Sequence, residues 1–405
     1  MPTFDCGTLI DGTGAPPRED VRVAVEEGRV IAVGDPDDVD AGEKHYEHDV
    51  VLPGLIDAHL HLSGLRSMDP MAWVREREAA MAARATADLR ALLAAGFTSV
   101  RDVGSAVGPG LKAAVAEGAV PGPRVYTSGR TISQTAGHGD SHFLPLEWVE
   151  EGSPLSTLAD GPAECRKEAR RRIREGVDCL KIMATGGVLS EKDAPDQSQF
   201  TPAEIRAFTE EAHRVDIPVA AHAQGTAGVV SALENGVDTI EHGFHLDSEA
   251  IDLLLETDAT LVPTLAVVDR IVERGDDHGV PDWGLRKARA AREAHVESVR
   301  RAYEAGVPIA LGTDFIGPDL LAHGENVREA ELLVEAIGMS EREAIEAGTG
   351  VAARTVPDDD VGTVEEGSRG DLLAVGSDPL DDVGALRDVE AVYRGGVPVG
   401  PAAGD

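Results

Sequence analysis

The sequence predicts an α/β protein: a (β/α)8 barrel of the TIM-barrel type, with a small β-sandwich domain formed by the N- and C-terminal segments. Three observations predict it. Between residues 51 and 356, apolar strand-like runs alternate with helical stretches, and eight such runs can be counted. Histidine, lysine and aspartate recur at the C-terminal ends of those runs, where such barrels keep their chemistry. Residues 1–50 and 357–405 read instead as short strands joined by glycine turns. They are expected to pair with each other, with the barrel inserted between them.

Thr8-Leu9-Ile10 runs into an Asp11-Gly12-Thr13-Gly14 turn. Val21-Arg22-Val23-Ala24-Val25 alternates at period two before Glu27-Gly28 turns the chain into Arg29 to Val33. At the far end, Gly367 to Gly370 leads into Asp371-Leu372-Leu373-Ala374-Val375, and Val389 to Tyr393 precedes a Gly395-Gly396 turn. The first barrel strand covers 50–61, followed by a helix over about 70–95. Strand two runs from Phe97 to Val103 and strand three from Arg124 to Ser128. Gly137-His138-Gly139-Asp140 reads as a loop. A helix at about 162–175 leads to strand four, Val177 to Met183. Thr201-Pro202, with Glu204 in the first turn, opens a helix over 202–215 that leads to strand five, Val219 to His222. Strand six is Thr239 to His242 and strand seven Leu261 to Leu265. A charged helix at about 285–305 precedes strand eight, Pro308 to Asp314.

The 405 residues are 42% hydrophobic, enough for a sizeable core, and only 3% aromatic, so that core is aliphatic. A net charge of −36 argues against nucleic acid and anionic membrane surfaces as partners. The lysines are Lys44, Lys112, Lys167, Lys181, Lys192 and Lys287, few against the acidic residues. Such a balance resembles proteins of salt-loving organisms, where screening offsets self-repulsion. Cys6, Cys165 and Cys179 have no paired spacing, which fits a reducing cytosol better than a disulfide framework. No apolar stretch approaches the ~18–20 residues of a membrane span, and the first residues show no signal run. A cytoplasmic location and a small-molecule partner are the expectation.

His59 and His61 close strand one. On a strand, residues two apart share a face, so both imidazoles can reach one metal ion while Ala58 and Leu60 point away. By itself such a pair is also compatible with partly buried structural histidines. Further ligand types close the later strands: Lys181 in strand four, His222 in strand five, His242 in strand six and Asp314 in strand eight. Singly, a strand lysine snorkels to water and a terminal aspartate caps a helix. Their coincidence at five of the eight predicted barrel mouths points to a metal site.

Pro53-Gly54-Leu55-Ile56-Asp57-Ala58-His59-Leu60-His61, Lys181, His222, Glu241-His242-Gly243 and Gly312-Thr313-Asp314 together resemble the amidohydrolase superfamily. Val177 to Met183 with Gly186-Gly187, and the Gly137 to Asp140 loop, are most similar to its imidazolonepropionase-related and Xaa-Pro dipeptidase (prolidase) branch. The resemblance implies a metal-dependent hydrolase cleaving a carbon–nitrogen bond, in a dipeptide such as Xaa-Pro or an N-acyl amino acid. An ammonium cannot ligate a metal. Burial lowers a lysine pKa, and the neutral amine can add CO2 to give an anionic carbamate. The implied assignment is one divalent ion on His59, His61, Lys181 and Asp314, and a second on Lys181, His222 and His242. Nitrogen and oxygen ligands suit zinc, with manganese, cobalt and iron as alternatives.

The resemblance further implies that Asp314 relays a proton from the attacking hydroxide to the leaving amine, or else serves as a ligand only. It implies a substrate or oxyanion contact for His138, against the reading of a plain surface loop histidine. Homo-oligomers are common among such relatives. Two alternatives stay open: a mononuclear imidazolone-type cyclic amidohydrolase or deaminase, and a non-catalytic scaffold relative, which should have lost ligands. Arg101-Asp102 reads as an internal ion pair rather than a carboxylate clamp. Gly186-Gly187 lets the backbone pass close to the site. His213, His278 and His295 read as surface residues, His245 lies outside the pattern, and His323 is placed at the pocket.

Overall fold

The computed structural model describes residues 1–152 and 156–399. Four strands from the N-terminal segment, β1 (Pro2–Leu9), β2 (Arg18–Glu26), β3 (Arg29–Gly34) and β4 (Lys44–Pro53), join three from the C-terminal segment. These are β14 (Leu372–Val375), β15 (Val389–Arg394) and β16 (Val397–Pro398), the numbers between belonging to the barrel. They make one mixed sheet in the order β16-β15-β14-β4-β1-β2-β3. Period-two alternation puts Phe4, Cys6, Val21, Val23, Leu372 and Tyr393 into a single apolar cluster, as the pleat requires. The Phe4 ring meets Tyr393 edge-on at 4.8 Å. The two ends therefore pair as expected, β14 running antiparallel to β4 from Leu372–Pro53 to Val375–Val50. Residues 400–405 of the C-terminal segment lie outside the described chain.

The run predicted as one strand over 50–61 is two strands in two sheets. Gly54 is the joint: a Cβ there would collide with the Thr98 side chain, so only glycine lets the chain cross. The barrel strands are β5 (Leu55–Leu60), β6 (Phe97–Asp102), β7 (Arg124–Thr127), β8 (Thr131–Ser133), β9 (Ser156–Leu158), β10 (Leu180–Met183), β11 (Val219–Ala223), β12 (Thr239–His242) and β13 (Thr260–Val262). They pair in parallel as β5-β6-β7 and β13-β12-β11-β10-β8-β9. Main-chain bonds close the ring. Asp178 N donates to Thr127 O at 2.8 Å, Ala310 N to Leu261 O at 2.9 Å and Ala58 N to Leu311 O at 2.9 Å.

Strand eight is held by isolated bridges, Leu261–Ile309 and Leu60–Phe315, and not by a regular ladder. The predicted helix over 70–95 is a short turn, Pro70–Trp73, and a helix, Glu78–Ala94. Strand seven stops at Val262 because Thr264, at φ 56°, starts the helix Leu265–Arg274. Crossover helices Thr226–Glu234 and Ser248–Glu256 complete the later βαβ units. Ile56, Ala58, Tyr126, Val262 and Ala310 come from strands that are not all neighbours around the ring, so they meet in its lumen. The helix Gly350–Ala353 adds Ala352 to the same cluster. No helix among the described residues is long and apolar enough to cross a membrane.

Candidate metal centre

The C-terminal end of the barrel opens into a cavity of about 400 Å³. His59, His61, Lys181, His222, His242, Asp314 and His138 all line it. The fold thus brings to one cavity the six candidate ligands and His138.

Strict alternation does not deliver His59 of β5 and His61 just beyond it. The β5–β6 register shifts between Asp57 and Leu60, and Ala58 packs in the lumen while Leu60 belongs to the outer core. A bulge re-aims side chains in this way. The rings of His59 and His61 stand 5.5 Å apart. His61 Nε2 lies 3.0 Å and His59 Nε2 3.5 Å from Asp314 Oδ1. His59, His61 and Asp314 offer ligand atoms that all lie within 4.8 Å of one another, a group able to hold a metal ion. Asp314 reaches this position at φ 58°, while its N–H and that of Thr313 both donate to His59 O. Below them Asp57 accepts from Thr313 Oγ1 at 2.7 Å and Asn326 Nδ2 at 2.6 Å, tying strand eight to β5.

Each ring has one nitrogen committed to protein. His59 Nδ1 meets Glu241 Oε2 at 2.6 Å, and His61 Nδ1 meets Gly104 O at 2.9 Å. His242 Nδ1 meets Thr264 Oγ1 at 2.7 Å, and His222 Nε2 meets Gly186 O at 3.1 Å. The carboxylate and carbonyl partners can only accept, so they put the proton of His59 and His61 on Nδ1 and that of His222 on Nε2 and leave the other nitrogen with its lone pair; the Thr264 hydroxyl orients the His242 ring. The four rings form a chain, His59 to His242 at 5.1 Å and His242 to His222 at 4.5 Å. Burial pushes the His222 and His242 pKa well below the imidazole range, and neighbouring cationic groups add to the effect. Neutral imidazole is the ligating form.

Lys181 is 2% exposed, and its Nζ has no hydrogen-bond partner among the described residues. A buried ammonium left unpaired is costly. Burial lowers its pKa to about 8, against the opposing pull of Glu241 and Asp314. An unpartnered amine among neutral imidazoles fits a carbamate better than a bare ammonium.

Glu241 holds this arrangement together, a role that the sequence motif did not reveal. Consecutive residues of a strand face opposite sides, yet Glu241 and His242 both serve the site. His242 sits at φ 78°, off the extended backbone of the strand, and its ring meets those of His59 and His222. Arg101 from β6 donates to Glu241 Oε1 at 2.7 Å and Thr239 Oγ1 at 3.0 Å, and Thr239 Oγ1 donates to Glu241 at 2.5 Å. Arg101 also donates to Ala58 O. The internal partner of Arg101 is therefore Glu241 across the lumen, not Asp102, whose Oδ2 accepts from Thr127 and Ser105. Burial alone would raise the Glu241 pKa. Arg101 and His59 overcome it and hold the carboxylate well below its usual range.

His138 stacks on His222 with centroids 4.3 Å apart and planes at 21°. His213 and His278 are exposed or nearly so, as expected. His295 is not a surface residue. It is 1% exposed, bonds His242 O at 3.0 Å and packs on Phe244. The signal was present in the sequence: Ala288, Ala291, His295, Ser298 and Ala302 form one buried stripe at helical spacing. His323 sits outside the cavity lining, its Nε2 on His61 O at 3.1 Å.

The amidohydrolase family model matches residues 50–399. The chain belongs to the amidohydrolase family. Ochratoxinase from Aspergillus niger is 32% identical over 96% of this chain and 85% of its own. The crystal structure of A. niger ochratoxinase superposes with a TM-score of 0.91 at 31% identity, covering 100% of this chain and 96% of that one. A Xaa-Pro dipeptidase crystallised with methionine in its active site gives 0.88 at 30% identity, over 98% and 99% of the two chains. Imidazolonepropionase from Salinispora tropica is 25% identical over 94% of this chain and 90% of its own. This amidohydrolase is an enzyme of carbon–nitrogen bond hydrolysis with a metal-associated site, and the Xaa-Pro dipeptidase resemblance read from the motifs agrees with these relatives.

Proposed function

We propose that the enzyme hydrolyses the amide bond of an apolar N-acyl amino acid or a dipeptide such as Xaa-Pro, using two divalent ions and a carbamate on Lys181. The observation that carries this reading is the Lys181 amine, buried and without a hydrogen-bond partner among the described residues, in the cavity that the His59–His61–Asp314 group and the His222–His242 pair also line. A carbamate would offer one oxygen to each side. His59, His61 and Asp314 would hold one ion with it, and His222 and His242 the other. The donor set suits zinc, with manganese, cobalt and iron as alternatives.

Such ions, when bound, supply Lewis acidity towards the scissile carbonyl and lower the pKa of water. The rest falls to the chain's own groups. Asp314 accepts a proton from the attacking water as oxygen adds to the acyl carbon, then returns it to the nitrogen as the carbon–nitrogen bond breaks. His138, held beside His222 on the cavity wall, faces the substrate's acyl group. Trp73, Phe143, Phe244, Trp283, Met183 and Val268 give the cavity an apolar lining that suits aromatic or aliphatic substituents and limits water. The names of the similar enzymes, ochratoxinase and Xaa-Pro dipeptidase, support this choice of substrate class.

A second reading is a mononuclear enzyme of the imidazolone or deaminase type. The tight grouping of His59, His61 and Asp314, without the other two histidines, favours it. Metal content per chain decides between the readings. The proposal expects close to two metals in the wild type and a sharp loss in Lys181→Ala, with amine release from N-acyl amino acids or dipeptides. One metal in both proteins would overturn the bridging role and favour the mononuclear enzyme.

A further inference from the structure

Lys287 stands on the helix Asp282–Glu304, outside the metal centre. Its ammonium donates to three main-chain carbonyls of one loop: Gly187 O at 3.1 Å, Asp193 O at 2.5 Å and Ser190 O. An ammonium has three protons, and here all three are spent on closing residues 187–193 around one point. The planar guanidinium of arginine has no such tripod. Trp283, one helical turn earlier, lines the cavity, as do Val188, Leu189 and Glu191 of the loop.

The loop ends in Asp193, which is 8% exposed. Asp193 Oδ1 accepts from Gly187 N at 3.2 Å and lies 3.8 Å from Lys287 Nζ. Its Oδ2 accepts from His138 Nδ1 at 3.1 Å. Gln199 adds a second tie, its Oε1 accepting from His138 N at 2.9 Å. A Cβ on Gly187 would collide with the His138 ring, so the loop also packs directly under that ring. A line of contacts thus runs from Lys287 through the closed loop and Asp193 to His138, whose other face rests on His222.

We infer that Lys287 is a positioning residue: by gathering the 187–193 carbonyls it sets Asp193 against His138 and so fixes the ring that faces the substrate. The substrate contact of His138 rests on the function proposed above, but the positioning itself does not. Breaking the tripod should free the loop, unseat Asp193 and let the His138 ring turn, while His59, His61 and Asp314 keep their geometry.

Hydrogen exchange of the folded enzyme, followed by mass spectrometry, tests the loop without any substrate. Lys287→Met should raise exchange at residues 187–193 by roughly tenfold or more, as expected for lost hydrogen bonds in a local opening. Exchange in β5 and metal content should stay at wild-type levels. Lys287→Arg should not restore protection. Asp193→Asn, which leaves the tripod in place, should keep the loop protected yet change the His138 ring nitrogen resonances as Lys287→Met does. Should Lys287→Met fail to fold, Lys287→Gln gives the same comparison. Unchanged loop exchange, unchanged His138 resonances, or equal loosening throughout the barrel would each overturn the inference. If the exchange and resonance results hold but no amide is cleaved, the failure lies with the proposed substrate and not with the positioning role.

Discussion

Glu241→Gln is the sharpest perturbation of the metal centre, because the carboxylate serves three donors at once: His59 Nδ1 at 2.6 Å, Arg101 Nη2 at 2.7 Å and Thr239 Oγ1 at 2.5 Å. A glutamine offers one oxygen and one NH2. If the oxygen stays with Arg101 and Thr239, the NH2 faces His59 Nδ1. That nitrogen must then accept, and the ring proton moves to Nε2, the atom aimed at Asp314. The lone pair that a metal needs is gone. Loss of such an orienting partner costs about 10–100-fold in metal affinity, or roughly 1.4–2.7 kcal/mol. Stability falls as well. Arg101 is fully buried, and it loses its counter-charge, which costs about 3–5 kcal/mol for a buried pair broken on one side. Two assays separate the effects: chelator competition for metal affinity, and urea unfolding of the metal-free protein for stability. A folded Glu241→Gln that binds metal with wild-type affinity would refute the tautomer reasoning. An unchanged unfolding midpoint would refute the argument from the buried charge.

Lys181 should show a pH-dependent signature. Its folded pKa, lowered by burial to about 8 from 10.5, puts the neutral amine within reach above about pH 8. In that window the unfolded chain still binds the proton that the folded one has released, so metal-free protein should gain stability as pH rises from about 8 towards 10.5. A carbamate resonance from 13C-bicarbonate should grow over the same rise and be absent in Lys181→Ala. Gly187→Ala should force the His138 ring out of its seat between the 187–193 loop and His222, lowering kcat by about 10²-fold, as loss of one oriented polar group at the reacting centre does, with metal content kept. Gly54→Ala forces a Cβ into Thr98 and should cost about 1–3 kcal/mol, read as a lower urea midpoint with metal affinity unchanged in the folded fraction.

The candidate ligands were legible because each lies at the end of an apolar run, and the barrel rule says what such ends do. Glu241 was visible in the motif but not in its role. Alternation places it opposite His242, and only the left-handed backbone of His242 puts both on one site. Strand eight was read correctly in place but not in kind, since it bonds through isolated bridges. The Asp193, Gln199 and Lys287 contacts follow no period. They join a loop to a helix 94 residues away in sequence, a separation that local pattern does not encode. His295 was misread for a different reason: its helical stripe is built from alanine and serine, so the buried face carries little apolar contrast.

The central position of β4 in its sheet bears on how the chain is made. One edge of β4 pairs with β1, close in sequence, and the other waits for β14, residues 372–375. During synthesis the intervening chain takes roughly 15–60 s to appear at ordinary ribosome speeds. Throughout that interval an apolar strand, Val50-Val51-Leu52, presents an open edge to any other strand in the cell. The nascent enzyme is therefore most exposed to mispairing just before β14 emerges, and a truncation short of Leu372 would leave that edge open permanently.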